Sequence, residues 1–478
     1  MCGIVLLYGP RSGIRLAECL NRLQHRGPDD RETWIEGDLA LGFSRLAING
    51  VGPTGRQPHR YSDLVGVING EIYNNRALVQ EYDLTASASD TNVVLPLFDL
   101  HGPRMIDQLD GFYSGVLFRL GNREAICLRD HIGKKPLFIG RSQGELFIVS
   151  ELKTLEDIDW FEPLPLGTSM VDLETGQVTQ LAKHLPLQVQ QGLVHIFENA
   201  VRKRMPRSDQ PVGVFLSGGL DSSLIASFVS RLRDDATYFT LGDADSPDRQ
   251  AVETVVTALR LKDVRILPLP SPELIPELVK SVVYATESFN PSIVSNGLAT
   301  YLLAKAAHEA GIKVVLTGEG ADELFGGYHL FCEEDPWREV RSRLIEDMQF
   351  TELRRLDMSC MAHSVEARCP FLDPGVHGFS DSLEFHEMYD SEENKVSLRR
   401  CFEGVLPPSV LHRRKTSFDV GSGIRGQIVQ YLRRNGRSER EELRDMWREF
   451  FPHDASAPYF HAYPVFDTVI DRRGATHR

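Results

Sequence analysis

The chain has no CxxC pair, no cationic leader running into an apolar stretch, no run near the roughly 20 apolar residues of a membrane span, and no basic excess. Each absence excludes a class. Seven cysteines lie at positions 2, 19, 127, 332, 360, 369 and 401. Their odd number and irregular spacing exclude a complete disulfide framework and a zinc ribbon. With neither leader nor span, the expected compartment is the reducing cytoplasm. A formal net charge of -14 argues against a nucleic-acid partner, though not against a local basic pocket for a phosphate or carboxylate. Internal repeats and long low-complexity segments are also lacking.

What is present is a soluble globular composition, 42% hydrophobic and 25% charged over 478 residues, a length that predicts two or three domains. The first ~180 residues read as short strands broken by Gly, Asn and Asp: "CGIVLLYG", "LALGFSRLAI", "LVGVINGEIY", "GFYSGVLFRL", "EAICLRD" and "ELFIVSEL". Amphipathic stretches at Leu16–Leu23 and Thr91–Leu100 predict helices, and the whole predicts an α+β sandwich. The polar, Pro-punctuated "LAKHLPLQVQQ" reads as a junction, giving domains at 2–185 and 190–478. Beyond it the rhythm becomes strand–loop–helix, as in "PVGVFL", "SGGLDSS", "LIASFVSRLR", which predicts an α/β unit with a parallel sheet. The last ~80 residues are rich in Arg and Glu and helical in pattern.

"FLSGGLDSS" is the most informative stretch. Gly218 and Gly219 let the backbone approach a ligand, Ser217, Ser222 and Ser223 offer hydroxyls, and a helix N-terminus that favours anions follows. The loop lacks a Walker lysine, and Asp221 would repel a phosphate unless Mg2+ lay between them. A second turn, "VVLTGEGADELFGGY", crowds Glu319, Asp322 and Glu323 beside glycines at a strand end. Asp221 and Asp322 are therefore the expected Mg2+ pair. Lys415 of "HRRKTSF" suits a phosphate or the charge of a departing pyrophosphate.

In the first domain, Cys2 becomes a thiol with its own α-amine once Met1 is removed, a compact nucleophile and base. The Asn69 side chain and the Gly70 N–H suit an oxyanion hole. Arg45 suits the α-carboxylate of a free amino acid, and Glu71 with Asp90 its ammonium.

These motifs carry three resemblances. "SGGLDSS" resembles the loop of the ATP-pyrophosphatase superfamily, which cleaves ATP between the α- and β-phosphates. "MCGI", "HRGPD", "SRLAI", "NGEIYN" and "RDHIGKKPLF" resemble a class II, N-terminal-nucleophile glutamine amidotransferase domain, which implies an αββα sandwich. The two in this order, with "GEGADELFGGY" and "VEARCPFLD", resemble the asparagine synthetase B family. That resemblance implies glutamine hydrolysis at Cys2, passage of ammonia through an internal tunnel, and its attack on an acyl-adenylate made from ATP and aspartate. It adds Ile48 to the glutamine site, and it lines ATP with Leu216, Ser217, Gly218, Gly219, Asp221, Ser222, Leu241, Thr317 and Gly318. Glu319 and Lys415 would assist adenylation and amide formation. The expected partners are small molecules, with a second copy of the chain as the macromolecular candidate.

One departure matters. The family carries an Arg-Ala-Ser stretch shortly before its "GEG" strand, where this chain reads "NPSIVSNGLATYL" with no arginine. The lost cation lies near the expected acceptor pocket. It leaves open an amidotransferase of the same mechanism acting on another carboxylic acid in a specialised route. A β-lactam-forming relative is disfavoured by the presence of Cys2, Arg45, Asn69 and Asp90.

Overall fold

Alternation along the first strand, Gly3–Tyr8, divides two environments. Ile4 and Leu6 enter a core between two sheets, joined there by Cys2. Val5 and Leu7 are buried on the opposite face, where Gly42 of the neighbouring strand packs on Leu16 and Leu20 of helix Ser12–Arg22. The computed structural model describes residues 2–185, 187, 189–328, 337–390 and 392–467. The chain divides into two units, Met1–Leu185 with Phe451–His453, and Pro186–Phe450 with Asp454–Arg478.

The first unit holds two six-stranded antiparallel sheets. One runs Trp160–Pro163, Phe138–Ser142, Glu145–Val149, Gly3–Tyr8, Leu39–Arg45, Asp30–Glu36; the other runs Val178–Ala182, Gly167–Asp172, Glu124–Arg129, Gly111–Arg119, Leu64–Ile72, His59–Tyr61. Val65, Val67, Val116 and Phe118 of the second sheet meet Ile4, Leu6 and Phe43 of the first in a shared core. Ile68, Ile72 and Leu117 pack on the other face of the second sheet, against Val94 and Leu97 of helix Val94–His101. Helix, sheet, sheet and helix are thus stacked as an αββα sandwich, the expected class. The edge strand Asp30–Glu36 escapes the sequence reading because "DRETWIE" is mostly charged, alternates half-buried and exposed positions over most of its length, and carries no apolar run.

The second unit is built on a five-stranded parallel sheet, ordered Asp263–Leu267, Thr237–Leu241, Gly213–Phe215, Val314–Leu316, Glu366–Arg368. The order reverses between Gly213–Phe215 and Val314–Leu316, and the crevice at such a switch point is where open α/β sheets bind ligands. Both signature loops leave from the C-terminal ends of these two strands. Short helices follow, from Val396–Cys401 to Glu439–Arg448, in keeping with the helical C-terminal pattern. Among the described residues no helix is long and apolar enough to cross a membrane.

Candidate active sites

Strand parity brings Cys2 and Asn69 together. Asn69 shares the face of Val65 and Val67 on strand Leu64–Ile72, and Cys2 shares that of Ile4 and Leu6, so both enter the layer between the sheets. The Cys2 nitrogen donates to Asn69 Oδ1 at 2.8 Å. That bond fixes the amide, leaving Nδ2 buried with no hydrogen-bond partner among the described residues. A buried, oriented N–H pair beside a thiol is the donor an oxyanion needs. Gly70 is required for a separate reason: at φ +156° a Cβ would lie 2.2 Å from the Phe112 carbonyl oxygen on the paired strand. The Cys2 carbonyl accepts from Arg26 Nε at 2.9 Å. The fully buried Glu151 pairs with Arg26 and takes Lys153 Nζ at 2.7 Å and His25 Nε2 at 2.8 Å. Burial would raise the Glu151 carboxyl, and the Lys153, His25 and Arg26 charges reverse this, holding it well below the usual range.

The residues expected around glutamine form a chain. Arg45 is buried and donates to Asp30 Oδ2 at 3.1 Å and to the carbonyls of Gly52 at 3.0 Å and Asn49 at 3.2 Å. Asn49 Nδ2 in turn donates to Glu71, and Ile48 is buried beside it in sequence. Asp90 accepts from the Ile72 N–H at 2.6 Å. Arg45 is thus tied to the 49–52 loop.

In the second unit a cavity of about 610 Å³ opens at the switch point. Leu216, Ser217, Gly219, Asp221, Ser222, Thr317, Gly318, Glu319, Asp322 and Lys415 all line it. Gly218 and Leu241 lie off that wall; Leu241 ends strand Thr237–Leu241 fully buried. The phosphate loop is held by its own hydroxyls, with Ser222 Oγ accepting from the Ser217 N–H at 3.2 Å. Arg413 braces it, donating to the Ser217 carbonyl at 3.1 Å and to Asp248 at 2.7 Å. Gly318 permits the two loops to meet, because a Cβ there would lie 2.8 Å from Asp221 Cβ.

Asp221 and Asp322 are brought together by a residue the sequence reading missed. Lys395 Nζ lies 2.6 Å from Asp322 Oδ1, 2.7 Å from Asp221 Oδ1 and 2.6 Å from Asp221 Oδ2. Lys415 pairs with the other Asp322 oxygen. Burial would raise the Asp322 carboxyl, but the two ammonium charges hold it well below the carboxylate range. Two hard carboxylates converging on one cation position fit Mg2+, which is commonly held by one or two carboxylates plus substrate phosphates. No group of three or more potential ligands occurs among the described residues, so the phosphates would have to complete such a shell.

Beyond Glu319 the wall turns to Arg355, which pairs with Glu319 and donates to Thr300 Oγ1 at 3.1 Å. Burial would lower the Arg355 guanidinium, and the Glu319 charge more than reverses that. Glu352 lies three residues earlier on helix Glu352–Met361 and is bonded by Thr351 and Tyr463 hydroxyls. Lys395 and Arg355 carry no local motif. The left-handed φ of Lys395, +55°, is a tertiary feature that its sequence does not announce.

A cysteine whose main-chain nitrogen is bonded to a buried asparagine amide in one unit, and a Gly- and Ser-rich loop with paired carboxylates in the other, together with the matched families, define the class, an ATP-dependent amidotransferase of the C–N ligase type. Residues 1–176 match the glutamine amidotransferase domain family, and residues 192–348 and 331–462 match asparagine synthase. The chain belongs to the asparagine synthase family. It is 31% identical over 463 residues to asparagine synthetase [glutamine-hydrolyzing] 1 of Lotus japonicus, covering 88% of this chain and 78% of that one. Asparagine synthetase [glutamine-hydrolyzing] 3 of Arabidopsis thaliana is 31% identical over 467 residues, covering 88% and 79%. A probable asparagine synthetase [glutamine-hydrolyzing] of Acanthamoeba polyphaga mimivirus is 30% identical over 470 residues, covering 87% and 85%. Among solved structures, glutamine phosphoribosylpyrophosphate amidotransferase from B. subtilis is similar at a TM-score of 0.35 and 15% identity, covering 66% of this chain and 81% of that one. That similarity is too low to carry the fold assignment, which rests on the sheets themselves.

Proposed function

We propose that the chain amidates aspartate to asparagine, using glutamine as nitrogen source and ATP for activation. The observation that carries the glutaminase half is Asn69, its oxygen pinned by the Cys2 nitrogen and its Nδ2 left open. With Met1 removed, Cys2 Sγ attacks the glutamine carboxamide carbon, and the α-amine of Cys2 takes the thiol proton. Asn69 Nδ2 and the Gly70 N–H hold the oxyanion. The amine returns the proton as ammonia leaves, and water then releases glutamate. Arg45 takes the glutamine α-carboxylate, and Glu71 and Asp90 its ammonium, with Ile48 alongside.

In the synthetase half, Leu216, Ser217, Gly219, Asp221, Ser222, Thr317 and Gly318 form the ATP site. An acceptor carboxylate oxygen attacks the α-phosphorus, the bond to the β-phosphate oxygen breaks, and pyrophosphate departs beside the Lys415 charge. Ammonia then attacks the acyl carbon, the C–O bond to AMP breaks, and Glu319 takes the proton that nitrogen surrenders. Mg2+ on Asp221 and Asp322 would supply charge neutralisation for the phosphates. The six described cysteines stand as thiols, which supports a cytoplasmic setting, and a homodimer is the assembly we propose.

A second reading, amidation of another acid, is favoured by one observation: Ser292, Asn296 and Thr300 reach the cavity from helix Pro291–Glu309 without a cation. Pyrophosphate release with ATP, ammonia and a panel of carboxylic acids tests both. Release with aspartate is expected; none with aspartate and release with another acid would move the assignment to the second reading.

A further inference from the structure

Helix Pro247–Leu259 begins with a carboxylate that the helix itself does not need. Ser246 caps it, its Oγ accepting from the Arg249 N–H at 3.4 Å, and an aspartate in a first turn ordinarily stays in water beside the helix dipole. Asp248 is instead 2% exposed, and its Oδ2 has no hydrogen-bond partner among the described residues. Burying a carboxylate on so few bonds costs stability, which points to a use beyond the helix. Two loops of the cavity close on this helix. A Cβ at Gly218 of the phosphate loop would lie 2.7 Å from the Val252 nitrogen, and one at Gly421 would lie 2.3 Å from Asp248 Oδ1. Arg413 joins the phosphate loop to Asp248: Nη2 donates to Asp248 Oδ1 at 2.7 Å and Nη1 to the Ser217 carbonyl at 3.1 Å. Among the described residues these bonds take two of the five guanidinium N–H groups, which leaves donors on a side chain that lines the cavity.

We propose that Asp248 is a positioning residue for ATP: it fixes Arg413 across the phosphate loop, so that the remaining donors of the guanidinium meet the polyphosphate. This rests on the adenylation reading above. A phosphate takes an arginine best in a set plane, through two parallel N–H bonds, and a guanidinium held by one carbonyl alone turns on its long stem. The Asp248 carboxylate supplies the second fixed point, and its charge holds the guanidinium more strongly than a neutral amide would. Burial pushes that carboxyl up to about 6, with Arg413 and then Lys415 opposing the rise. The other charges on the packed elements have partners of their own: Arg249 with Glu253 at 3.0 Å, Asp419 with the Ser295 hydroxyl at 2.6 Å, and Asp221 with Lys395. Asp248 therefore holds Arg413 as an ion pair above about pH 6 and as a neutral acid below it.

The test uses the full chain with ammonia as nitrogen source and follows pyrophosphate release from ATP with the acid that wild type amidates. Asp248→Asn keeps the shape of the side chain and loses its charge. It should raise KM for ATP roughly 10-fold and leave both KM for the acid and glutamine hydrolysis within about twofold. The wild-type advantage in kcat/KM for ATP should shrink toward one as pH falls from about 7.5 to about 5, where wild type also carries a neutral acid. Both proteins meet the same ionisation of ATP, so it cancels in the ratio. Arg413→Gln should raise KM for ATP by at least as much, and adding Asp248→Asn to it should change little further. An ATP KM unaltered in Asp248→Asn would overturn the assignment. So would an equal loss at every pH, or losses that simply multiply in the double variant, either of which leaves Asp248 as a packing residue of its helix. Those results strike this inference alone, whereas no release by wild type with any acid would overturn the adenylation reading and this inference with it.

Discussion

Lys395→Met removes one ammonium and keeps the length of the side chain. Its Nζ stands 2.6 Å from the nearest oxygen of both Asp221 and Asp322, with its side chain only 3% exposed. The carboxylates therefore face each other within about 5 Å, and at an effective dielectric constant near 20 two such charges repel by about 3 kcal/mol. Lys415 stays on Asp322 and shields part of that. In chelator, the transition of the synthetase unit should fall by roughly 5–10 °C. Millimolar Mg2+ should restore it, since a divalent ion does in the variant what the ammonium does in the parent. Calorimetry without nucleotide should find Mg2+ bound about one to two orders of magnitude more tightly than by wild type. ATP-dependent pyrophosphate release should fall, because Lys395 also lines the phosphate cavity. An unchanged Tm in chelator together with an unchanged Mg2+ affinity would refute the shared cation position, whatever happened to activity.

Four further outcomes are expected. Cys2→Ala should abolish glutamine hydrolysis while ammonia-dependent synthesis survives; hydrolysis at the wild-type rate, or full activity in a protein whose mass still includes Met1, would remove Cys2 as nucleophile. Asn69→Ala should lower kcat for glutamine hydrolysis about 10²- to 10³-fold with a smaller change in KM, as for loss of one oxyanion donor, and a change confined to KM would contradict that role. Asp221→Asn should lose ATP-dependent synthesis and keep glutamine hydrolysis; undiminished AMP formation would sink its place at the phosphates. The His59 imidazole is pushed down to about 4 by burial first and the Arg45 charge second. A lowered imidazole favours the fold above its ordinary value near 6.5, and that contribution, about 3 kcal/mol, is lost as pH falls from about 6.5 to 4. His59→Gln should flatten this limb of the acid-unfolding curve, and an unaltered limb would count against a buried neutral imidazole.

The residues legible in the sequence share one property: each sits in a short stretch whose composition is unusual for its surroundings. Two glycines and three hydroxyls in "SGGLDSS" cannot be explained by a strand or helix interior, and the fold puts that turn at the C-terminal end of Gly213–Phe215. Asn69 is legible because Asn-Gly inside an apolar run breaks strand preference; the fold places it mid-strand, on the face shared with Cys2. The bond it accepts from the Cys2 nitrogen is not legible, since it depends on two sheets packing with one parity. Leu241 shows the opposite error, an expected ligand contact whose side chain is fully buried and off the cavity wall.

Glu151, Lys395 and Arg355 escaped for a common reason. Each is an ordinary charged residue in an ordinary run, "SELKT", "ENKVS" and "LRRLD", and a charge in such a run is usually solvated surface. Each is paired with chain 36 to 174 positions away: Glu319 for Arg355, Arg26 for Glu151, and Asp221 for Lys395. The arginine missing before the "GEG" strand is the same problem seen from the other side. A site's charge is a sum over every wall, so removing a cation from one helix leaves the pocket's sum undetermined until the other walls are counted. Arg355 against Thr300, two helices meeting at a 3.1 Å bond, is one such wall, and Lys395 and Lys415 stand on others.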